Sequence, residues 1–200
     1  ALFFLPPIAL AVLVAFIAGM ACFELLRATK VAHHSGMYVL TALAAALIRE
    51  QLAKALDYDV KCTRAQADTS LDDPEFDIRL EALRPVVSGR LAAHFHAHRA
   101  DDIVTAVRIS KEFGLDCVIV HGTEGHLVAD FLAKEGVPVI TGPFLMDRCK
   151  PELANLTMEN TALLARAGVQ TAICTDHPET PVTLLPFCAA MAARAGMDEE

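Results

Sequence analysis

The chain has 200 residues and a formal net charge of −8 at pH 7, from 17 basic and 25 acidic side chains. This length is sufficient for one domain with a buried core. The acidic balance argues against a nucleic-acid partner, because phosphate binding needs an excess of Lys and Arg on one face. A small-molecule substrate is the better expectation. The six cysteines include no C-x-x-C pair, so neither a zinc ribbon nor a disulfide framework is indicated, and a reducing, cytoplasmic compartment is expected.

The N-terminal segment differs in composition from the rest of the chain. Residues 1–23 carry no charge, and 20 of these 23 residues are apolar. A segment of this length can span a bilayer as a helix, and its centre has the length of a signal-peptide core. Pro6 and Pro7 near its start, with no preceding Lys or Arg, favour a buried helix or a spurious start instead. Export or a membrane anchor through residues 1–23 is the alternative.

Two helices are predicted between this segment and residue 90. Leucines at three- and four-residue spacings predict an amphipathic helix over residues 37–58. The acidic stretch 59–77 predicts a solvated loop. A second amphipathic helix is predicted over residues 76–87, closed by Ser88 and Gly89. We divide the chain into the apolar segment 1–23 and one domain, 24–200.

From residue 90 onwards, a short apolar run is followed by a helical pattern four times. The predicted strands are 91–95, 117–120, 137–140 and 169–174, and the predicted helices are 101–113, 124–134, 158–167 and 181–195. Continuous apolar strands that alternate with helices indicate a parallel sheet covered by helices on its outside. The pattern by itself fits both a doubly wound sheet and part of a barrel.

Side chains able to bind a metal follow three of the four strands. His96 follows the first strand, His121 the second and Asp176 the fourth. The carboxyl ends of parallel strands converge on one site. Two imidazoles and a carboxylate suit a first-row divalent metal, zinc foremost. Such an ion polarises a carbonyl and lowers the pKa of water, and a neighbouring Asp can move the proton. We therefore expect hydrolysis of an amide or related carbon–nitrogen bond.

Other polar residues near the strand ends have simpler explanations. A single histidine such as His126 is expected to be a hydrogen-bonded structural residue. Asp101 and Asp102 are expected to begin and cap the helix that follows the first strand, where a carboxylate meets free backbone N–H groups. Glu124 stands in the same position at the start of the next helix.

Three segments resemble the imidazolonepropionase-related branch of the amidohydrolase superfamily: 96–103 (HAHRADDI), 120–126 (VHGTEGH) and 175–178 (TDHP). The resemblance implies a (β/α)8 barrel that binds one or two divalent metals. It implies that His96 is the ligand after the fifth strand, that His121 is a catalytic ligand after the sixth, and that Asp176 is the eighth-strand ligand that also moves the proton. His98 and His177 are expected to contact the substrate.

Only half of such a barrel is recognisable in the sequence. The family's His-x-His pair after the first strand has no counterpart upstream of the resembling segments, because His33 and His34 are adjacent. A whole barrel takes about 250 residues. The predicted fold class is therefore α/β: the C-terminal half of a (β/α)8 TIM barrel with extra N-terminal helices. A metal-dependent hydrolase is the first expectation. The alternative is a non-catalytic half-barrel that acts only by association, as a homo-oligomer or with another chain, because its sheet edges would be unpaired.

Overall fold

The computed structural model describes residues 35–197. The apolar segment 1–23, its boundary with the rest of the chain, and His33 and His34 lie outside the described residues. The chain divides into two compact units, residues 1–88 and residues 89–200. Over residues 35–197, no helix combines the length and the apolar character that a bilayer-spanning helix needs.

The first unit contains two helices, α1 (Ser35–Ala67) and α2 (Ile78–Val87), which pack against each other. The buried side chains of α1 recur every three or four residues; they are Leu52, Ala55, Tyr58, Cys62 and Ala65. Arg84 of α2 donates to Asp59 of α1 at 2.9 Å. The helix α2 begins after Asp77, whose carboxylate accepts from two backbone N–H groups of the first turn. The predicted second helix is thus present, with a side-chain cap at its start.

The first helix is longer than predicted. Residues 59–67 continue α1, so the prediction of a solvated loop over 59–77 is wrong for its first half. Two features keep this stretch helical despite its polar composition. Cys62 and Ala65 extend the buried stripe, and Lys61 forms an ion pair with Asp57 one turn earlier at 2.6 Å.

The second unit is built on a four-stranded parallel sheet. Its strands are β1 (Ala93–Ala97), β2 (Cys117–His121), β3 (Val139–Thr141) and β4 (Thr171–Ile173). They neighbour one another in chain order, β1-β2-β3-β4. A doubly wound sheet reverses its strand order at a switch point, whereas a barrel adds strands in sequence. The sequential order therefore decides between the two alternatives, and the prediction of half a (β/α)8 barrel is confirmed.

A helix follows each strand, as the sequence pattern predicts. The helices are α3 (Ala100–Phe113), α4 (Ala129–Glu135), α5 (Glu159–Arg166) and α6 (Leu185–Arg194). One apolar core fills the space between the sheet and the helices α3, α4 and α5; it includes Ile103, Val107, Ile119, Leu132, Val139 and Leu164. Gly114 ends α3 and Gly136 ends α4, both in the left-handed conformation that glycine adopts without a steric cost.

The register of the sheet brings the carboxyl ends of the strands to one level. Ala97 is paired with His121, His121 with Thr141, and Thr141 with Ile173. On β1, Phe95 and Ala97 pack into the core beneath the helices. Because side chains alternate along a strand, His94 and His96 lie on the opposite face, which is the inner face of a barrel.

Candidate metal centre

Three imidazole rings meet at the carboxyl ends of β1 and β2. The ring centroids of His96 and His121 are 4.4 Å apart, those of His98 and His121 are 4.8 Å apart, and those of His96 and His98 are 4.9 Å apart. One nitrogen of each ring lies within 4.8 Å of the others. Among the described residues, these three side chains form a group that could hold a metal ion. We call these three residues the imidazole cluster. The sequence predicted that His96 and His121 converge, and the structure adds His98.

His98 enters the cluster because it continues the alternation of β1. It lies two residues after His96 and therefore emerges on the same inner face. It is buried, and its Nδ1 lies 2.8 Å from the hydroxyl oxygen of Thr123. Burial, and after it the neighbouring imidazoles of His121 and His96, together lower the pKa of His98 to about 4. The ring is therefore neutral at pH 7, which is the state that can bind a metal or hydrogen-bond a substrate.

His121 reaches the cluster through an unusual backbone conformation. Ile119, two residues earlier on β2, packs in the core beneath the helices, so regular alternation would direct His121 there as well. Instead, the φ of His121 is +72°, in the left-handed region that non-glycine residues rarely adopt. Its Nδ1 donates to the carbonyl oxygen of Gly142 at 2.7 Å. The other ring nitrogen, Nε2, then carries a lone pair, as a metal ligand requires.

Asp176 lies beside His121, in the turn that follows β4. Its Oδ2 is 3.9 Å from the Nε2 of His121, and its side chain is 49% exposed. Its φ is +49°, so it shares the left-handed conformation of His121. Residues held in this region cluster at functional sites. His177 follows Asp176 in the chain and is exposed, outside the imidazole cluster.

Glu124 is buried and stands at the start of the helical turn Gly125–Val128, as predicted, but its side chain makes no hydrogen bond to that turn's backbone. Asp101 and Asp102 lie in the first turn of α3, but the N–H of Ala100 donates to the Oε2 of Glu124 at 2.8 Å. The acceptor at the start of α3 thus comes from the loop after the neighbouring strand. The other oxygen, Oε1, accepts from Asn155 at 2.8 Å. Glu124 therefore joins the loops that follow β1, β2 and β3.

Asn160 is a second buried polar residue that the sequence analysis missed. It lies in the first turn of α5 and contacts the loop after β2 through both ends of its amide. Its Nδ2 donates to the carbonyl oxygen of Gly122 at 2.9 Å, and its Oδ1 accepts from the backbone N–H of His126 at 2.8 Å. The His126 ring also lies against this oxygen, in accord with the structural role expected for it. Asn160 is buried together with Thr161, Ala162 and Leu164 of the same helix. Its place beside these residues in a helical segment was the sequence signal that could have indicated burial.

Similarity to a solved structure decides the family. The crystal structure of an amidohydrolase from Thermotoga maritima MSB8 superposes with a TM-score of 0.72 and 41% sequence identity, over 78% of this chain and 40% of that one. This chain belongs to the amidohydrolase superfamily. No family model matches it, and no curated protein does. Because 78% of 200 residues exceeds the whole second unit, 89–200, the similarity extends into the helical unit. The chain spans well under half of the amidohydrolase that it matches.

Amidohydrolases use divalent metals, and the donors at this site fit such an ion. Imidazole and carboxylate donors are those that zinc takes in catalytic sites. Both buried rings have a second partner at Nδ1, Gly142 for His121 and Thr123 for His98, as metal-bound histidines do. One nitrogen of each ring lies within 4.8 Å of the others, so His96, His98 and His121 could together hold such an ion.

Proposed function

We propose that this chain carries half of the active site of a metal-dependent hydrolase that cleaves a carbon–nitrogen bond of a small molecule. The proposed metal is zinc, with His96, His121 and Asp176 as ligands. One observation carries the proposal: the imidazole cluster forms at the strand ends of an amidohydrolase half-barrel, with Asp176 3.9 Å from His121. The chain spans 40% of its structural relative, so the activity of the whole protein is part of this proposal.

The protein side chains have separate tasks in this reaction. A bound divalent metal supplies a Lewis acid that polarises the scissile carbonyl and lowers the pKa of water. His121 donates its Nδ1–H to the carbonyl oxygen of Gly142 and presents Nε2 to the site. Asp176, half exposed, accepts a proton from the attacking water at Oδ2 and delivers it to the departing amine. The nucleophile thus loses the proton that the leaving group gains.

His98 and His177 are proposed to contact the substrate. His98 is neutral at pH 7 and has its Nδ1 at the Thr123 hydroxyl, so its Nε2 is available for a hydrogen bond within the cluster. His177 is exposed and follows Asp176 in the chain. The motifs around these residues support a cyclic amide or a peptide-like substrate, as in the imidazolonepropionase-related branch.

Hydrolysis by the metal-loaded chain tests the proposal. Amine release is measured on a panel of cyclic amides and N-acyl amino acids, after loading with zinc and after chelation. We compare Asp176→Asn with Glu179→Gln, which removes an exposed charge three residues later. Asp176→Asn should lose activity by about 10²- to 10⁴-fold, as expected for a general base, and Glu179→Gln should keep it. Full activity in Asp176→Asn would contradict the role of Asp176.

A second candidate function is association without catalysis. In the described sheet, β1 pairs with β2 alone and β4 pairs with β3 alone, so one edge of each lies outside this sheet. Such edges favour pairing with another strand, either from a second copy or from a different chain. Light scattering after size exclusion distinguishes the candidates when it is combined with metal analysis. A dimer that binds no zinc supports this function, and a zinc-binding monomer opposes it.

A reducing compartment, the cytoplasm, is the proposed location. The five cysteines that the structure describes, Cys62, Cys117, Cys149, Cys174 and Cys188, are all free thiols. Burial raises the pKa of Cys117 and Cys174, which keeps these thiols protonated and unreactive. An anchor through residues 1–23 remains the alternative. Cell fractionation without detergent distinguishes the two. Recovery of the full chain in the membrane fraction would favour the anchor, and recovery in the supernatant would oppose it.

We also propose that residues 24–200 act as one functional domain. Support comes from the structural similarity, which covers more of the chain than the half-barrel unit and so includes part of the helical unit. Limited proteolysis tests this proposal. A protease-resistant fragment that keeps residues on both sides of Ser88 supports one domain, and release of residues 89–200 as a separate stable fragment opposes it.

A further inference from the structure

Asn160, on α5, contacts the loop that follows His121 at two points. This loop, residues 122–126, carries Thr123, which contacts the ring of His98, and Glu124, which accepts from the N–H of Ala100 at the start of α3. We infer that Asn160 is a positioning residue that holds His121 in its left-handed conformation and so keeps the imidazole cluster assembled. The expected effect on zinc affinity rests on the proposed function. The expected effect on the conformation of His121 does not depend on any metal.

The backbone of His121 needs an external restraint. A non-glycine residue in the left-handed region costs on the order of 1 to 3 kcal/mol and persists only where its surroundings impose it. If φ relaxed to a negative value, the regular alternation of β2 would turn the ring towards the side of Ile119. The imidazole would then leave His96 and His98.

The restraint acts on the peptide groups that follow His121. The N–H of Gly122 donates to the carbonyl oxygen of Ala97 on β1 at 2.9 Å. The carbonyl oxygen of Gly122 accepts from Asn160 Nδ2 at 2.9 Å and from the backbone N–H of Gly125 at 2.7 Å. One peptide group of Gly122 is therefore fixed by the neighbouring strand, and the other is fixed by α5 together with the turn of the loop itself. The φ of Gly122 is itself +49°, so two successive left-handed residues depend on these bonds.

The hydrogen-bonding groups fix the orientation of the Asn160 amide. A carbonyl oxygen can only accept and a backbone N–H can only donate, so the NH₂ group must face Gly122 and the oxygen must face His126. The side chain is buried, with 3% of its surface exposed. Neither bond has a solvent substitute, and a carboxylate in this place would meet the Gly122 carbonyl without a proton to donate.

The test compares Asn160→Asp with Val107→Ala in the full chain. Asn160→Asp keeps the acceptor for His126 and loses the donor to Gly122. Val107→Ala removes apolar atoms from the core on α3 and no hydrogen-bonding group of the loop. The first readout is the downfield NMR resonance of the His121 Nδ1 proton in metal-free protein, identified by its loss in His121→Ala. The second is zinc affinity, from competition with a chelator.

Asn160→Asp should lose the resonance and bind zinc about 10- to 100-fold more weakly than Val107→Ala, the range found for partners of metal-bound histidines. Both variants should lower the melting temperature. Equal resonance and equal affinity in the two variants would overturn the inference. If the wild type binds no zinc and Asn160→Asp still loses the resonance, the proposed function fails and the inference stands. Asn160→Ser, too short to reach Gly122, replaces Asn160→Asp if that variant does not fold.

Discussion

The Nδ1 of His121 lies 2.7 Å from the carbonyl oxygen of Gly142, in the loop after the neighbouring strand. Gly142 has a φ of +117°, and a Cβ added there would lie 2.1 Å from the backbone oxygen of Cys174. The loop after β3 therefore holds the ring of His121 through a position that only glycine can occupy. This relationship makes Gly142 a direct support of the proposed site.

Gly142→Ala should lower the free energy of unfolding by about 3 kcal/mol or more, because backbone atoms must separate to admit the methyl group. Urea denaturation measures the change. Gly136→Ala is the matched control: its φ is +66° and no atom lies within 4 Å of the added Cβ. It should cost only about 1 to 2 kcal/mol, from the left-handed backbone alone. Equal costs for the two variants would show that the contact with Cys174 is unimportant.

Thr123 is expected to orient the ring of His98. Thr123→Val removes the hydroxyl 2.8 Å from His98 Nδ1 and keeps the shape of the side chain, whereas Thr123→Ser keeps the hydroxyl. The valine variant should lose about 1 to 2 kcal/mol of stability, because a buried ring nitrogen is left without a partner. Thermal denaturation of both variants measures this. A serine variant less stable than the valine variant would show that the methyl group, not the hydroxyl, matters there.

The strand ends were predictable from the sequence, whereas the bonds that shape the site were not. Each strand is recognisable as a local apolar run, and the polar residues that follow it must lie at the carboxyl end of the sheet. His96, His121 and Asp176 could therefore be selected from the sequence. Thr123 meets His98 across 25 residues, and Asn160 meets Gly122 across 38. The first pair depends on the register of β1 and β2, and the second depends on how α5 packs on the sheet. Hydrophobic periodicity predicts single helices and strands, but it does not predict which side chains of different elements come into contact.

Glu124 should contribute strongly to stability, since it is buried and binds two loops. Glu124→Ala removes the acceptor for the N–H of Ala100 and for Asn155. Hydrogen bonds to a charged group are worth about 1.5 to 3 kcal/mol each, so we expect a loss of about 3 kcal/mol. Asn155→Ala, which removes only one of the two bonds at an exposed residue, should cost about half as much. Chemical denaturation of both variants checks the ratio, and a costlier Asn155→Ala would contradict it.

The stability of the metal-free chain should fall between pH 6.5 and pH 4 because of His98. Its folded pKa is about 4, below the ordinary 6.5, so in this interval the unfolded chain takes up a proton that the folded chain does not. The contribution of His98 to the free energy of unfolding is therefore constant well above pH 6.5 and drops by about 2 to 3 kcal/mol towards pH 4. Carboxyl groups also titrate here, so the measurement is the difference from His98→Gln. No difference between the two pH profiles would contradict the lowered pKa.

His98 and His121 show where strand periodicity helps and where it fails. The spacing His94, His96, His98 places three rings on one face of β1, so the proximity of His98 to His96 follows from alternation. The same rule applied to β2 would direct His121 into the core with Ile119. The left-handed conformation reverses that outcome, and it arises from hydrogen bonds to β1 and α5 rather than from residues 117–121 themselves.

Zinc stoichiometry of two histidine variants on β1 tests the central claim most directly. His94 and His96 are exposed on the same face of the strand, and only His96 belongs to the imidazole cluster. The full chain is dialysed against zinc, freed of excess ion, and its bound metal is measured by mass spectrometry. The account predicts stoichiometric zinc in the wild type and in His94→Ala, and loss of zinc in His96→Ala. Equal zinc content in His94→Ala and His96→Ala would contradict it.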